Sequence, residues 1–371
     1  MIKRVYIDNF QCFTNFEVQA DRVNLLIGNN GVGKTTFINV LHSVVTLVAM
    51  GGAVEALFPW HTRTRWDSRP SQRIELEVNG NGGTYHYHLE LLHDLSLDTV
   101  TIKREMVQYD SRTLFLYENG MVQLHNNEGK HGTQFHFRGA RSFLPQLEPR
   151  PENMLLTWFL IYMNGVWLLK LDPSSIDPES LSEAETLHTN GSNFASWYRH
   201  LSQERPEDVN NLFNRLRQVL PGFRNLKTVS TGSGGRKRGL FATFSFADSK
   251  SEYEVEFDDL SDGEQALIVL YCLLMDAERE PKTLLLDEPE NFVGLQQIQP
   301  WLADLADAVR DEGQLFLISH NPEVIDYLAA DHSLLFERSD GGPTRVRSNP
   351  FDRSEVLKAS ELVTRGLLDD A

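Results

Sequence analysis

Cysteine is almost absent: Cys12 and Cys272 are the only two in 371 residues. Two thiols cannot build a disulfide framework, and a reducing, intracellular setting is the simplest reading. No apolar signal core stands at the N-terminus. Met1-Ile2-Lys3-Arg4-Val5-Tyr6-Ile7-Asp8 alternates apolar and polar residues as a strand does. Long hydrophobic runs are missing too. The longest, around Leu155 to Leu171, carries Asn164 and Lys170, which argues against a membrane span. There is no internal repeat and no low-complexity tract, and no sustained heptad of the kind a long coiled-coil arm needs. A cytoplasmic protein with no membrane partner is expected. Positive charge is scarce, with 35 Lys and Arg against 52 Asp and Glu, a net charge of −17. An acidic surface repels phosphate backbones, so indiscriminate nucleic-acid binding is disfavoured. The best local exception is Arg236-Lys237-Arg238 beside Thr231-Gly232-Ser233-Gly234-Gly235. It is either a basic contact site or a solvated hairpin tip.

What is present is enough apolar residue, 41%, for a sizeable core. Val23-Asn24-Leu25-Leu26-Ile27 reads as a short buried strand, followed by a Gly-rich loop and a helix from Thr36 to about Met50. Ile74 to Val78, Tyr85 to Leu89 and Leu114 to Tyr117 are β-rich runs. Asn79-Gly80-Asn81-Gly82-Gly83 and Glu118-Asn119-Gly120 lie between them as turn signals, which makes an antiparallel sheet. Amphipathic helical stretches follow and end at Pro221-Gly222. Thr283 to Leu286 and Gln314 to Ile318 are continuous apolar runs, the mark of buried parallel strands. The expected organisation is one α/β head. It has a core lobe (1–72 plus 275–350), an antiparallel β region (73–145), a helical lobe (146–274) and a tail (351–371).

Three motifs carry chemistry. Gly28-Asn29-Asn30-Gly31-Val32-Gly33-Lys34-Thr35 matches G-x-x-x-x-G-K-[ST]. The glycines let the backbone turn sharply and aim N–H groups at phosphates, and the helix start adds its positive dipole end. Lys34 reaches the β- and γ-phosphates, and the Thr35 hydroxyl ligates Mg²⁺. Asn29, Asn30, Gly31, Val32, Gly33 and Thr36 complete the cradle. Second, Asp287 and Glu288 follow the apolar run Leu284-Leu285-Leu286. An acid at the end of a buried strand is costly without a cation, so Asp287 is placed to hold Mg²⁺ through water. Glu288 is then the natural base that orients the attacking water. Third, His320 in Ser319-His320-Asn321-Pro322 follows a strand end, where it either contacts the γ-phosphate or is an ordinary turn residue.

Leu260-Ser261-Asp262-Gly263-Glu264-Gln265, shortly before Asp287, resembles the signature of ABC-type ATPases. The whole set resembles the branch that holds RecF, SMC proteins and the OLD ATPases of phage defence. Asp287-Glu288-Pro289-Glu290-Asn291 and the Ser-His-Asn-Pro segment are similar to that branch's standalone AbiEii/OLD-type AAA ATPases. The resemblance spans Met1 to about Arg347. It implies an ABC-type P-loop fold, ATP and Mg²⁺ as cofactors, and ATP hydrolysis. It also implies a head-to-tail homodimer in which Ser261 and Gly263 of a second copy close on the γ-phosphate. A glutamine between the lobes is expected from the resemblance, with Gln146 as the candidate, and a phosphate-contacting arginine from Arg63, Arg65 or Arg73. Two departures stand out. Asp262 replaces the second signature glycine, and Asn291 to Gln296 lacks the usual aspartate of the segment after the acids.

Three functions compete. The first is an ATP-driven switch that controls a separately encoded effector, a nuclease or toxin, as in phage defence. The second is a repair or chromosome-maintenance ATPase that binds DNA itself. The third is a transporter subunit, which the long insertion between Lys34 and Ser261 argues against. Nuclease activity of this chain alone is not expected, because the stretch after His320 is short and has no glutamate-then-Asp-x-Asp pattern. Asp369-Asp370 reads as a solvated tail.

Overall fold

A computed structural model describes all residues except 95, 232–235, 247–250, 310–311, 340, 352–357 and 366–371, and, for side chains, 295 and 363–365. The expected tail at Asp369-Asp370 and the glycine tip at 232–235 lie outside the described residues. The strands in chain order are β1 (Ile2–Asp8), β2 (Phe16–Gln19), β3 (Val23–Ile27), β4 (Ser71–Gly80), β5 (Gly83–Asp94), β6 (Thr99–Tyr109), β7 (Arg112–Glu118), β8 (Met121–His125), β9 (His131–His136), β10 (Val166–Leu169), β11 (Glu179–Ser180), β12 (Phe223–Ser230), β13 (Arg238–Ser245), β14 (Glu252–Glu256), β15 (Thr283–Asp287), β16 (Gln314–Ile318), β17 (Ser333–Glu337) and β18 (Arg345–Ser348). The helices are α1 (Lys34–Ala49), α2 (Val54–Leu57), α3 (Met154–Asn164), α4 (Phe194–Glu204), α5 (Pro206–Val219), α6 (Asp262–Arg279), α7 (Leu295–Ala308), α8 (Pro322–His332) and α9 (Ala359–Arg365). The chain divides into two compact units. One is Met1–Trp167, Thr283–Leu285 and Gln314–Ala371; the other is Leu168–Lys282 and Leu286–Gly313.

The first unit holds an eight-stranded sheet in the order β2-β1-β4-β5-β6-β7-β8-β9. Neighbouring strands pair antiparallel throughout. Its turns follow the sequence. Asn81 and Gly82 both have positive φ, as do Asn119 and Gly120, which is the backbone that a tight two-residue hairpin between twisted strands demands. Gln72, Ile74, Leu76 and Val78 on β4 alternate inward with Tyr85, Tyr87, Leu89 and Leu91 on β5. Helix α3 lies on that face, with Trp158 stacked on Tyr85 at 5.0 Å and Phe159 on Tyr87 at 6.0 Å.

A six-stranded sheet runs β10-β15-β16-β3-β17-β18. Strands β16, β3 and β17 are parallel, with Ile318 opposite Leu26 and Leu335 opposite Ile27. All of β3 and β16 is buried, as a parallel strand covered on both faces must be. Helix α1 covers this part of the sheet. Its Phe37 meets Phe316 at 6.0 Å and Phe336 at 5.7 Å, so the helix that follows the glycine loop is pinned to the strands on either side of β3.

The second unit is built around α6. Every residue from Gln265 to Ala277 is buried, the pattern of a helix surrounded on all sides. Trp301 of α7 donates its Nε1–H to the Leu270 carbonyl at 2.7 Å. Arg205 bonds Asp276 at 2.7 Å and ties the α4–α5 corner to the same helix. A small antiparallel sheet of β11, β13, β12 and β14 completes the unit. Arg236 and Lys237 precede β13 at the β12–β13 hairpin. Lys237 pairs with Glu179, and Arg238 bonds Thr228, so two of the three basic residues already have partners.

Candidate functional site

In the first unit the phosphate-cradle motif joins β3 to α1. Gly28, Gly31 and Gly33 have φ of 134°, 81° and 106°, backbone that an L side chain rarely adopts. A second constraint acts at Gly28, where a Cβ would stand 2.2 Å from the Phe336 carbonyl oxygen. Gly33 caps α1, and a Cβ there would meet Cys12 Sγ at 2.6 Å. Lys34 is buried, and its ammonium donates to the carbonyls of Gly28 at 2.7 Å and Asn29 at 3.1 Å. The cation therefore sits folded over the loop, while Asn29, Asn30 and Gly31 are exposed. Thr35 and Thr36 are half-buried on the first turn.

Sequence reasoning missed two supports of this loop. The buried Thr344 hydroxyl donates to the Val32 carbonyl at 2.7 Å, and the Thr344 amide bonds the Cys12 carbonyl at 2.9 Å. Gln11 accepts the Thr36 hydroxyl at 3.0 Å from a left-handed backbone with φ of 46°. The Gln11 amide in turn donates to the Thr62 carbonyl at 2.7 Å. A non-glycine residue at positive φ is strained, and three of them, Asn9, Gln11 and Asn15, lie in the β1–β2 connection that carries Gln11. Nothing local in the sequence marks them.

His320 is exposed one residue beyond the buried Ser319, past the end of β16. Because β16 and β3 are parallel and in register, the chain leaves both strands on the same side. The structure thus brings the histidine segment beside the glycine loop. Asn321 and Pro322 have a local task as well: the Asn321 side chain accepts from the Glu323 amide as the N-cap of α8, and Pro322 opens the helix.

Gln146 is not brought to the loop. It ends a one-turn 3₁₀ helix, Leu144–Gln146, whose Pro145 packs near Gly51 beyond the C-terminal end of α1. Lys34 opens that helix, so roughly 24 Å of α-helix separates the two. Among the arginines, Arg73 is engaged with Glu75 and lies 5.5 Å from the Tyr6 ring, and Arg63 bonds the Asp67 carbonyl at 3.2 Å. Arg65 is exposed.

In the second unit, Asp287 ends β15 and is buried. Lys170 lies 3.0 Å from its Oδ2. The sequence argument required a cation for this acid, but did not pick Lys170 out as one. Glu288 has φ of 52° and accepts from Asn291 Nδ2 at 2.8 Å. Left-handed glutamate costs on the order of 1 kcal/mol or more, which local structure must offset. No group of three or more His, Cys, Asp or Glu residues stands ready to hold a metal among the described residues. A nucleotide-bound Mg²⁺ needs no such group, since phosphate oxygens and water supply most of its ligands. Each unit carries a donor of that kind: the half-buried Thr35 in the first and the buried Asp287 carboxylate in the second.

Ser261 is the N-cap of α6. The Glu264 amide donates to the Ser261 hydroxyl at 3.4 Å, and the Ser261 amide donates to Glu264 Oε2 at 3.0 Å, a reciprocal capping box. Ser261 and Asp262 are exposed. Gly263 packs on the segment after the acids, where a Cβ would come within 2.7 Å of the Phe292 carbonyl oxygen.

The model of the family described as "AAA domain, putative AbiEii toxin, Type IV TA system" matches residues 23–326. No curated protein matches in sequence. Among solved structures, the chain is similar to the SmcHead bound to the C-winged helix domain of ScpA, with a TM-score of 0.58 at 12% identity, covering 93% of this chain and 97% of that one. It is also similar to the Smc head domain with an extended coiled coil bound to the C-terminal domain of ScpA derived from Pyrococcus furiosus. There the TM-score is 0.52 at 11% identity, with 99% and 98% covered. At such identities the likeness is one of fold, that of a P-loop ATPase head. Among the described residues, no helix is long and apolar enough to cross a membrane.

Proposed function

The chain belongs to this AAA-domain family, a family of nucleotide-binding ATPases, and on that premise we propose that it is an ATP-operated switch. Two copies close head to tail around ATP and reopen on hydrolysis, and the motion controls a separately encoded effector such as a nuclease or toxin. Phage defence is the setting most in keeping with the family resemblance. The observation that carries the reading is the glycine loop: three positive-φ glycines end in a helix start whose lysine is folded onto the loop's own carbonyls.

In this reading the loop from Asn29 to Thr36 binds the phosphates, and Lys34 turns from the Gly28 carbonyl to the β- and γ-oxygens. Thr35 and Asp287 would hold Mg²⁺, which neutralises phosphate charge when bound. Glu288, held by Asn291, orients the attacking water and takes its proton. His320 reports the γ-phosphate. The exposed Ser261 and the half-buried Gly263 of the second copy close the site with a hydroxyl and a helix-start N–H.

Replacing Lys34 with Ala removes a charge-assisted contact worth about 1.5–3 kcal/mol, so ATP affinity should fall about 10- to 100-fold. Normal binding by that variant would refute the site. Glu288→Gln should slow hydrolysis by about 10²–10⁴ and leave ATP bound. Light scattering should then find a dimer with ATP and a monomer without it; a strict monomer in both conditions overturns the switch.

A second reading, direct DNA binding, draws on one surface. Trp60 and Trp66 are 58% and 49% exposed and interleave with His61, Arg63 and Arg65. Exposed aromatics among cations suit stacking on single-stranded bases. Salt-dependent binding of the Glu288→Gln variant with ATP would favour it, and no binding at low salt would leave the partner-switch reading alone.

A further inference from the structure

Lys170 directly follows β10, the neighbour of β15 in the six-stranded sheet. Its ammonium lies 3.0 Å from Asp287 Oδ2 and pairs with that carboxylate. The partners are unequal. The Asp287 side chain is 3% exposed and the Lys170 side chain 63%. The acid cannot leave its place at the end of a fully buried strand. The lysine reaches in from solvent on a four-carbon stem, while its backbone is fixed by the 2.8 Å bond from its amide to the Thr189 carbonyl. One end of the pair is therefore rigid and the other free to swing.

A buried charge is costly unless an opposite charge pairs with it. Here the chain supplies that opposite charge itself. An ammonium on Oδ2 and a divalent cation on the same small carboxylate repel each other and compete for one oxygen's lone pairs. We propose that Lys170 is a resident counter-ion of Asp287, a positioning residue that holds the carboxylate aimed and must release it before Asp287 can serve a nucleotide-bound divalent cation. The proposal rests on the reading that Asp287 has that second role. Lys170 then sets the Mg²⁺ concentration at which the site fills.

The test is equilibrium dialysis of the non-hydrolysable analogue AMP-PNP at increasing Mg²⁺, with wild type, Lys170→Met, Lys170→Ala and Lys170→Arg. An ion pair with one exposed partner is worth a factor of about 2 to 5. The Mg²⁺ concentration for half-maximal uptake should therefore fall about 3-fold in Lys170→Met. Lys170→Ala should match it, since the charge and not the stem is the agent, and it serves equally if the Met variant folds poorly. Lys170→Arg should stay near wild type. Unchanged or raised Mg²⁺ demand in both neutral variants overturns the role of Lys170 alone. Wild-type protein that takes up no analogue at any Mg²⁺ concentration overturns the nucleotide reading and this proposal with it.

Discussion

Alanine at Gly28 and alanine at Gly31 separate two reasons for a glycine in the same loop. At Gly31, φ is 81° and a Cβ would meet nothing within 4 Å. The only cost is left-handed backbone, about 1–2 kcal/mol. At Gly28, φ is 134° and the Cβ would lie 2.2 Å from the Phe336 carbonyl oxygen. That carbonyl cannot yield easily, because it belongs to β17, whose Leu334 and Leu335 are paired with Leu26 and Ile27 just before the glycine. Backbone strain of about 1–3 kcal/mol and forced overlap of about 1–3 kcal/mol act together, so Gly28→Ala should cost roughly 3–5 kcal/mol. With about 2–4 °C per kcal/mol for a unit of this size, the apparent Tm should drop by roughly 6–20 °C, against roughly 2–8 °C for Gly31→Ala. The loop would also shift by on the order of 1 Å, enough to lower ATP turnover about 100-fold. Scanning fluorimetry with and without ATP reads the first effect, and a phosphate-release assay the second. Equal Tm losses in the two variants, or a Gly28→Ala protein with normal turnover, would refute the claim that contact with β17 fixes the loop.

Glu105 predicts a pH effect. It is buried between the hydroxyls of Tyr87 at 3.0 Å and Ser142 at 2.9 Å, its other oxygen has no partner, and burial raises its pKa to about 7. The native state keeps the proton where the unfolded chain, with the usual 4.5, has lost it. This contribution is full below 4.5 and falls by roughly 3 kcal/mol as pH climbs to 7. His93, pushed down to about 4 first by burial and then by Arg63, acts in the opposite sense over part of that range. Denaturation of wild type and Glu105→Gln between pH 5 and 8 therefore reads the effect as a difference, and parallel curves would dismiss it. Ser261→Ala should lose a cap worth about 1 kcal/mol by thermal melting, and Gly263→Ala should lose more, because its Cβ would run into backbone at Phe292. A greater loss at Ser261 would reverse the assignment.

The glycine loop and the acidic strand end were legible because each is contiguous: the residues that act together are adjacent in the chain. Ser261 to Gln265 was legible only as a signature, and the structure shows Ser261 and Glu264 to be the cap of α6 as well. The supports were not legible. Thr344 reaches Val32, Gln11 reaches Thr36 and Lys170 reaches Asp287 through strand pairing, which no local pattern encodes. Glu105 was hidden by a β-bulge. Val100 and Ile102 point inward, and strict alternation would put Arg104 inside and Glu105 in water. The ladder instead pairs Glu90 with Arg104 and Leu91 with Ile102, so Lys103 is an extra residue and Glu105, Val107 and Tyr109 turn inward after it. One inserted residue reverses the faces of all that follow.

The two adjacent acids show why neighbouring carboxylates need not share a role. Asp287 ends a regular strand, buried, with its charge answered by a lysine. Glu288 leaves the strand at φ of 52°, half-buried, and its carboxylate accepts a neutral amide from Asn291. The left-handed turn takes Glu288 off the strand, in which it would otherwise face the opposite side of the sheet from Asp287. An ion-paired, immobile carboxylate suits a cation. A carboxylate braced by a neutral amide on a strained turn suits a base. Glu288→Gly would relax the turn but delete the carboxylate, whereas Asn291→Ala keeps the carboxylate and removes its brace. In the second variant hydrolysis should fall while ATP affinity holds, and an unchanged rate would mean that the amide positions nothing.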